Sequence, residues 1–494
     1  MPAISRRTVL LGSAGGLLTV GGLAACSTSA GTAVTSSSRA VETAERGRRA
    51  AGQRTITARL AQRQATLDLG GPVVRSWAYG DGVPGPLLRA TAGDRVVVTV
   101  DNALPESTSV HWHGVSLRND MDGVPGMTQA PIDVNSQFTY DFTVPDAGTY
   151  FYHPHSGVQL DRGLYGVLVV DDPAEPGAYD EEWVVVLDDW VDGTGQTPDD
   201  VLATLRKGGG RGGMGMGHGS MGGMDGEMQS PLLGGAGDVA YPHYLVNGRV
   251  PTAPVTLNGK PGQRVRIRMV NAASDTAFRV ALGGHRLTVT HSDGFPVLPT
   301  VTDALLIGMG ERFDAVVTLG DGTFPLVAVA EGKAGQGMAV VRSAAGDAPA
   351  PDATPAELRR EVLLGTRLRA ATQVALRPRD VDRTHDLVLG GSMRNYRWTI
   401  NGETFDDADP LEIREGERVR LRMRNRSMMF HPMHVHGHTF GLRQGGARND
   451  TVIVRPMESV AVDFDAVNPG QWATHCHNIY HAEAGMMTTL SYRA

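Results

Sequence analysis

The residues best suited to chemistry form a short C-terminal run in which one cysteine lies between two histidines. His475, Cys476 and His477 are consecutive, and His481 and Met486 follow closely. In an extended segment alternate side chains point to opposite faces, so Cys476 would point away from both neighbouring histidines. A thiolate, two imidazoles and an axial thioether form the ligand set of a blue-copper electron-transfer site. Cys476, His481, Met486 and one further histidine could supply that set.

Three other histidine clusters precede this run, and each contains histidines separated by one residue. That spacing places two imidazoles on the same face of a strand. The clusters read His111-Trp112-His113-Gly114, His153-Pro154-His155 and His431-Pro432-Met433-His434-Val435-His436-Gly437-His438. Together with the C-terminal run they hold most of the 16 histidines. Such clustering favours metal binding over a scatter of ordinary core or surface histidines.

The order and spacing of these four motifs resemble those of the multicopper oxidases over nearly the whole chain beyond its N-terminal leader. The resemblance implies four copper ions and dioxygen as the electron acceptor. It assigns the blue (type 1) copper to His431, Cys476, His481 and Met486, and the type 2 copper to His111 and His434. The binuclear type 3 pair would take six histidines, namely His113, His153, His155, His436, His475 and His477. His438 is not a ligand in the family and would support its neighbours.

The length and composition favour a multidomain chain that does not bind nucleic acid. The 494 residues suggest two to four domains. Charged residues make up 20 % of the chain and the formal net charge is -7, which gives no support for a nucleic-acid partner. Because Cys476 is a copper ligand candidate and Cys26 lies in a candidate cleavage site, no disulfide is predicted.

The N-terminus is typical of an export signal. Ser5-Arg6-Arg7-Thr8-Val9-Leu10 matches the twin-arginine pattern, and an uncharged apolar run follows it. The run ends in Leu23-Ala24-Ala25-Cys26, which resembles a bacterial lipoprotein cleavage site. A permanent transmembrane helix is the alternative, although the run is rich in glycine and barely long enough to span a bilayer. We predict a signal over residues 1–26, a lipid anchor on Cys26, a flexible tether over 27–54 and an extracytoplasmic location in the periplasm or cell envelope.

A frame of one glycine and one asparagine around an alternating strand occurs three times. The pairs are nine residues apart: Gly93 with Asn102, Gly262 with Asn271, and Gly416 with Asn425. The repeat and the period-2 strands predict three β-sandwich domains of similar plan, and the resemblance implies cupredoxin domains in an all-β, Greek-key fold. The predicted domains cover residues 55–177, 178–350 and 351–494, with linkers near Asp171 to Gly177 and Ala344 to Pro355.

A second frame separates the outer domains from the middle one. Gly148-Thr149-Tyr150 and Gly470-Gln471-Trp472 precede histidine pairs at the same offsets, whereas Gly322-Thr323-Phe324 leads to Val327 and Val329. We therefore expect the first and third domains to supply the metal ligands at their mutual contact. The middle domain would be a structural spacer.

The motif order also suggests a path for electrons and protons. Cys476 is covalently bonded to His475 and His477, so the backbone would connect the blue copper to the cluster. Four single-electron steps would then reduce dioxygen to water. Asp122 lies where the family has an acidic residue near the cluster and is a candidate proton relay, although an Asp before a glycine also stabilises turns. A second relay is in doubt because Ala482 follows the last histidine. The axial Met486 indicates a modest blue-copper potential.

The substrate is predicted from methionines, whose soft thioethers suit Cu(I). The segment from Gly208 to Met228 contains Met214, Met216, Met221, Met224 and Met228. In cuprous oxidases of the family a methionine at the place of Met429 helps to bind Cu(I), but Ser427 replaces their acidic partner. We favour a monomeric Cu(I) oxidase for copper resistance, with Fe(II) and phenols as secondary substrates. A laccase acting on phenols or aromatic amines and a non-catalytic copper-binding protein are the alternatives.

Overall fold

The computed structural model describes residues 31–175, 179–208, 230–442 and 445–494. Strands dominate and form six sheets, which pair into three β-sandwiches. The predicted all-β class with three similar domains is therefore confirmed. Over the described ranges, no helix has both the length and the apolar character needed to cross a membrane.

A helix precedes the first sandwich and packs against two domains. Helix α1 (Arg39–Arg48) buries Glu45, whose carboxylate accepts hydrogen bonds from the Thr143 backbone and hydroxyl at 3.1 and 2.9 Å. Arg48 donates to Asn468 of the third domain at 2.8 Å. The prediction of a flexible tether over residues 27–54 is therefore wrong for the described residues from 31 onward, because buried hydrogen bonds attach them to both outer domains.

The first sandwich pairs two four-stranded sheets, ordered β2-β1-β4-β6 and β3-β8-β7-β5. Its strands are β1 (Thr55–Asp68), β2 (Val73–Tyr79), β3 (Leu88–Thr91), β4 (Arg95–Ala103), β5 (His111–His113), β6 (Gln137–Thr143), β7 (Gly148–His153) and β8 (Gly166–Asp171). Short 3₁₀ turns occur at Asn119–Met121 and Gln159–Arg162. The core between the sheets is aromatic and includes Trp112, Tyr140 and Phe142.

The middle sandwich pairs two six-stranded sheets, ordered β10-β9-β12-β17-β14-β15 and β11-β19-β18-β13-β16-β20. Its elements are β9 (Glu181–Trp190), α2 (Pro198–Arg206), β10 (His243–Val246), β11 (Thr256–Asn258), β12 (Arg264–Asn271), β13 (Phe278–Leu282), β14 (Leu287–Ser292), β15 (Phe295–Thr302), β16 (Ala304–Ile307), β17 (Arg312–Thr318), β18 (Thr323–Ala330), β19 (Gln336–Arg342) and β20 (Val362–Leu364). Because β20 pairs with β16, this sandwich extends beyond the boundary predicted at residue 350.

The third sandwich follows 3₁₀ turns at Ala356–Arg359 and Gly365–Arg367, and its sheets are ordered β22-β21-β24-β29-β26-β27 and β23-β31-β30-β25-β28. Its elements are β21 (Arg383–Ser392), β22 (Arg397–Ile400), β23 (Leu411–Ile413), β24 (Arg418–Asn425), β25 (His431–Val435), β26 (Phe440–Leu442), β27 (Arg448–Asn449), β28 (Thr451–Val454), β29 (Ser459–Asp465), β30 (Gln471–Cys476), α3 (Ile479–Glu483) and β31 (Met487–Tyr492).

The repeated Gly and Asn frame has the same structural role in each sandwich. The frame strands β4, β12 and β24 each pair in parallel with the first strand of their domain and antiparallel with a later one. The frame glycines Gly93, Gly262 and Gly416 have φ of +90°, +80° and +84°, a region that glycine enters without steric cost. The frame asparagines Asn102, Asn271 and Asn425 each donate to two backbone carbonyls in other segments. The repeat therefore marks a tight turn at the glycine and a buried asparagine that holds two neighbouring segments together.

Candidate metal centres

In the first domain, strand alternation directs the histidines away from the domain core. Trp112 lies fully buried among Tyr140, Phe142 and Tyr152. Its neighbours His111 and His113 therefore point the other way, towards the third domain. β5 pairs with β7 so that His111 lies opposite His153. His155 follows after Pro154, which ends the strand.

The third domain presents its histidines in the same way. β25 pairs antiparallel with β30, which places His434 opposite His475 and Met433 opposite Cys476. Because alternate residues on paired strands point to the same face, the imidazoles face the first domain while Cys476 points into the interior of the third. Cys476 is fully buried. The sequence prediction that one strand serves two faces matches this geometry.

The eight cluster histidines form three groups of nitrogen atoms at the contact between the first and third domains. In each group the ligand atoms lie within 4.8 Å of one another. The groups are His111 with His113 and His434, His113 with His153 and His477, and His155 with His436 and His475. The six histidines predicted for the binuclear pair thus divide into two trios, and the two predicted for the remaining copper lie beside one of them.

The hydrogen bonding of these histidines fits metal ligands. Among the described residues, His111 Nε2, His113 Nδ1, His153 Nε2, His434 Nε2 and both His477 ring nitrogens are buried without a hydrogen-bond partner. Except in His477, the opposite nitrogen of each ring is held, for example His153 Nδ1 by the Pro154 carbonyl at 2.8 Å. Burial also lowers the pKa of His475 to about 3, and it lowers the pKa of His113, His153, His155, His434, His436 and His477. Neutral imidazoles with one free nitrogen are the form that binds metals.

A second centre lies inside the third domain around Cys476. The Cys476 sulfur is 3.6 Å from both His431 Nδ1 and His481 Nδ1, and the two nitrogens are 3.1 Å apart. This triangle is the trigonal His₂Cys arrangement that blue-copper sites use. Met486 is fully buried, and its backbone bonds to both Cys476 and His481. The residues predicted for this centre are thus brought together.

Asp122 lies against the cluster, as the sequence analysis predicts. His436 Nδ1 donates to Asp122 Oδ2 at 2.9 Å, and His111 Nδ1 donates to the Asp122 backbone carbonyl at 2.8 Å. The carboxylate is fully buried, and its other oxygen accepts no hydrogen bond from any described residue. Asp122 therefore contacts one histidine from each outer domain.

Asp450 is a second acidic contact of the cluster, which the sequence analysis missed. His113 Nε2 donates to Asp450 Oδ1 at 3.0 Å, and His434 Nδ1 donates to its backbone carbonyl at 3.0 Å. Burial alone would raise the pKa of Asp450, but the Arg312 guanidinium and the His434 contact hold it below its ordinary value. Asp450 lies between β27 and β28, outside the strands that carry both histidines, and no spacing rule identifies it.

The histidines beside Cys476 also have supporting partners. His431 Nε2 donates to Ser427 Oγ at 2.8 Å, the position where cuprous oxidases have an acid. His481 Nε2 donates to Asp238 Oδ2 at 2.9 Å. Asp238 belongs to the middle domain and also accepts a hydrogen bond from Tyr396. This centre therefore has an acidic group, but the acid contacts His481 instead of His431 and comes from the middle domain. Sequence spacing alone could not indicate such a contact.

The middle domain is more than the spacer that the sequence analysis predicts. Besides Asp238, it places Gly310 against the cluster, where any side chain would come within about 3.0 Å of His477 and His113. Strand β18 does carry core valines at the positions of the outer-domain histidines, since Val327 is fully buried and Val329 packs partly against the same core. The middle domain therefore keeps this strand but has valines where the outer domains have histidines.

Two other predicted positions lie beside the centres. His438 is outside every group and hydrogen-bonds Tyr492 at 2.6 Å and the His436 carbonyl at 3.0 Å, which agrees with a supporting role. Glu483 lines a narrow cavity together with His155, His475 and His477. An acidic side chain therefore lies near the cluster, one residue beyond the position that Ala482 occupies.

The described flanks of the Met-rich segment lie next to the Cys476 centre. The five methionines predicted to contact Cu(I) in that segment are outside the described residues, as is Cys26. Before the segment, Arg206 donates to the Glu483 carbonyl at 2.8 Å. After it, Gly235 packs so closely on Met429 that a side chain there would come within 3.3 Å of the sulfur. Met429 is buried, whereas Met428 is 71 % exposed.

Comparison with known proteins identifies similarity along most of the chain. Family models described as multicopper oxidase match residues 61–175, 181–345 and 379–494. Multicopper oxidase MmcO of Mycobacterium tuberculosis is 51 % identical over 464 residues, which cover 92 % of this chain and 90 % of the relative. A copper resistance protein A homolog of Pseudomonas syringae pv. tomato is 30 % identical over 535 residues, with 86 % and 90 % covered.

Solved structures show the same architecture. A multicopper oxidase from Pseudomonas Thermotolerans has 27 % identity and a TM-score of 0.69, with 89 % of this chain and 100 % of that chain covered. Fet3p, described as a multicopper oxidase that functions in iron import, has a TM-score of 0.75 at 20 % identity, with 89 % and 90 % covered. At that identity the similarity to Fet3p shows the fold alone.

Proposed function

This chain belongs to the multicopper oxidase family, and from that premise we propose that it oxidises Cu(I) to Cu(II) with dioxygen as acceptor, in copper resistance outside the cytoplasm. We assign four copper ions to it. A type 1 copper would be held by His431, Cys476, His481 and Met486, a type 2 copper by His111 and His434, and the type 3 pair by the two histidine trios. Bound copper would supply one-electron oxidation of the substrate and four-electron reduction of dioxygen.

The protein contributes a short covalent link between the two centres. Cys476 contacts the mononuclear centre, while its neighbours His475 and His477 belong to different trios of the cluster. Each histidine is one peptide unit from the cysteine, and His475 Nδ1 also donates to the Cys476 carbonyl at 2.9 Å. The electron path therefore needs no diffusing carrier, and burial of all three residues excludes water from it.

The observation that carries the Cu(I) proposal is the set of groups at the outer side of the Cys476 centre. Asp238 supplies a carboxylate at His481, and Met429 supplies a thioether near His431. Both flanks of the Met-rich segment reach the same place. Soft thioethers suit Cu(I), and the negative charge of a carboxylate attracts a cation more than a neutral phenol. The copper-resistance names of several relatives agree with this substrate.

Protons for the reduction of dioxygen would pass through Asp122. Its carboxylate is buried at the cluster and bonds only His436 among the side chains of the described residues, so it can exchange a proton with a molecule bound between the trios. Since Asp122 also orients His436 and His111, its loss would affect both proton supply and ligand position.

We propose that the enzyme is exported by the twin-arginine leader and held at the membrane by a lipid on Cys26. The leader and cleavage pattern in the sequence support this location. We expect detergent to release the copper-loaded protein from membranes. A Cys26→Ser variant should instead appear in the soluble fraction.

The substrate test compares oxygen uptake with Cu(I) and with a simple phenol. Replacing Met214, Met216, Met221, Met224 and Met228 with leucine keeps the length of the segment and removes its thioethers. We expect kcat/KM for Cu(I) to fall about tenfold or more, as for loss of groups that guide a metal, with phenol turnover unchanged. Deletion of residues 208 to 228 should give the same result.

A laccase acting mainly on phenols or aromatic amines is the second candidate, because laccases and ascorbate oxidases are also among the relatives. A wild-type preference for the phenol, with no effect of the leucine replacements on Cu(I), would favour it. A protein that takes up copper but consumes no oxygen with either substrate would instead be a copper-binding protein.

A further inference from the structure

Arg312 of the middle domain lies where all three domains meet. It is fully buried at the start of β17. Its Nε donates to the Thr149 carbonyl of the first domain at 3.1 Å. Its two terminal nitrogens donate to the two carboxylate oxygens of Asp450, in the third domain, at 2.7 and 2.6 Å. Such a bidentate pair fixes the direction of the carboxylate as well as neutralising it.

The carboxylate that Arg312 holds is the one that contacts the cluster. Asp450 Oδ1 accepts from His113 Nε2 at 3.0 Å and from Thr451 Oγ1 at 2.9 Å, and the Asp450 backbone carbonyl holds His434. Through Asp450, Arg312 therefore influences His113 of the first domain and His434 of the third. Hydrogen bonds to the second nitrogen of a ligand histidine set its ring orientation and tautomer.

The surrounding backbone is built to admit this guanidinium. Gly114 follows His113 directly, with φ of +84°, and a side chain there would come within 2.3 Å of Arg312 Nη2. Asp293 of the middle domain accepts hydrogen bonds from the backbone nitrogens of Asp450 and Thr451, each at 3.1 Å. The segment that carries Asp450 is thus held from the middle domain through both its backbone and its side chain.

We propose that Arg312 is a positioning residue for the copper cluster: through Asp450 it orients His434, and so retains the type 2 copper, and it orients His113 of the adjoining type 3 trio. This inference rests on the copper assignments of the proposed function, but not on the identity of the substrate. It makes the middle domain, whose described residues supply no ligand to the cluster, a determinant of the cluster that the outer domains form.

The test uses the full copper-loaded protein with Arg312→Lys and Arg312→Met. A lysine keeps the charge but cannot pair bidentately with a carboxylate. Arg266→Lys is the matched control, because Arg266 is another buried arginine of the middle domain, and its carboxylate partners, Asp314 and Glu175, hydrogen-bond none of the cluster histidines among the described residues. Type 2 copper would be followed by its electron paramagnetic resonance signal and by resistance to a chelator. The blue absorption reports the Cys476 centre in the same sample.

We expect type 2 copper to be about 10 to 100 times less tightly held in the Arg312 variants, in line with losses of other outer partners of metal ligands. The signal should change shape, the blue absorption should persist, and kcat should fall with KM for the reductant unchanged. Arg266→Lys should match wild type in all these respects. If Arg312→Met does not fold, Arg312→Lys decides the matter.

Wild-type retention and signal in Arg312→Lys, measured at the same folded fraction as the control, would overturn this proposal alone. Equal losses in Arg312→Lys and Arg266→Lys would also overturn it, since a general loss of stability would then explain both. A wild-type enzyme without a type 2 signal would overturn the copper assignments and this proposal together.

Discussion

The two candidate centres differ in how many domains they need. The ligand atoms of Cys476, His431 and His481 all come from the third domain and lie within 3.6 Å of one another. The cluster takes four histidines from the first domain and four from the third, so neither domain holds it alone. One centre is therefore a property of a single sandwich, whereas the other exists only when two sandwiches dock. A change that disturbs domain docking should therefore affect the cluster more than the Cys476 centre.

The supporting partners follow the same division. Ser427 holds His431 from within the third domain, and Asp238 holds His481 from the middle domain. At the cluster, both carboxylates cross the interface, because Asp122 of the first domain holds His436 and Asp450 of the third holds His113. Docking therefore aligns the ligands as well as bringing them together.

The largest expected effect comes from removing the thiolate. Cys476→Ser should abolish turnover and the blue absorption, because a hydroxyl is a poor ligand for copper in a soft, trigonal site. The cluster should keep its copper, since His475 and His477 retain their strand positions. Copper analysis, absorption and oxygen uptake check this. Loss of the cluster copper as well would show that the two centres are not separable.

Asp122→Asn tests the cluster side. Asparagine can still accept the hydrogen bond from His436 but cannot carry a proton, so oxygen reduction should slow on the order of 10²-fold, with an altered pH profile. The blue copper should still be reduced at the wild-type rate in the absence of oxygen. Asp120→Asn is the control, because Asp120 pairs with Arg118 near the surface. An unchanged rate and pH profile in Asp122→Asn would show that Asp122 is not the proton relay.

Asp238→Asn tests the Cys476 side. Loss of the carboxylate at His481 should slow reduction of the blue copper by Cu(I) about tenfold, with copper content and cluster signals unchanged. Stopped-flow bleaching of the blue band measures it. Tyr396→Phe removes the other hydrogen bond to Asp238 and should behave like wild type. If the two variants slow equally, the carboxylate has no special role.

The smallest effect on the copper centres is expected for Glu311→Gln in the middle domain, which should change stability only. Burial, and next to it the charge of Asp293, raises the pKa of Glu311 from 4.5 to about 8. Between those values the unfolded chain releases this proton while the folded protein keeps it, so this group lowers the free energy of unfolding as pH rises, by about 1.4 kcal/mol per pH unit. Glu311→Gln should therefore be more stable than wild type near pH 8 but not near pH 4.

Urea unfolding from pH 4 to pH 9 measures this difference. Glu361→Gln is the control, because its carboxylate is 60 % exposed. Both centres should keep their copper and spectra in Glu311→Gln, in contrast to the Arg312 variants. A parallel pH dependence in wild type and Glu311→Gln would show that Glu311 ionises alike in the folded and unfolded states.

Much of the fold and the ligand set could be predicted because local periodicity encodes them. Alternation on a strand separates Trp112 from His111 and His113, and the Gly and Asn frames mark the same turn in each domain. The predicted tether failed for a related reason. A Ser- and Ala-rich composition says little about a segment such as α1, whose order comes from hydrogen bonds to two distant domains.

The sequence by itself determined which residues can bind copper and that three sandwiches of one plan carry them, since residue type and spacing along a strand are local properties. Apart from Asp122, only the tertiary structure decided which acids support the ligands. Asp450, Asp238 and Arg312 reach the centres across domain interfaces from strands and loops remote in sequence, and no local pattern records such contacts. Docking of the three domains therefore determines how the ligands are oriented, charged and shielded from water.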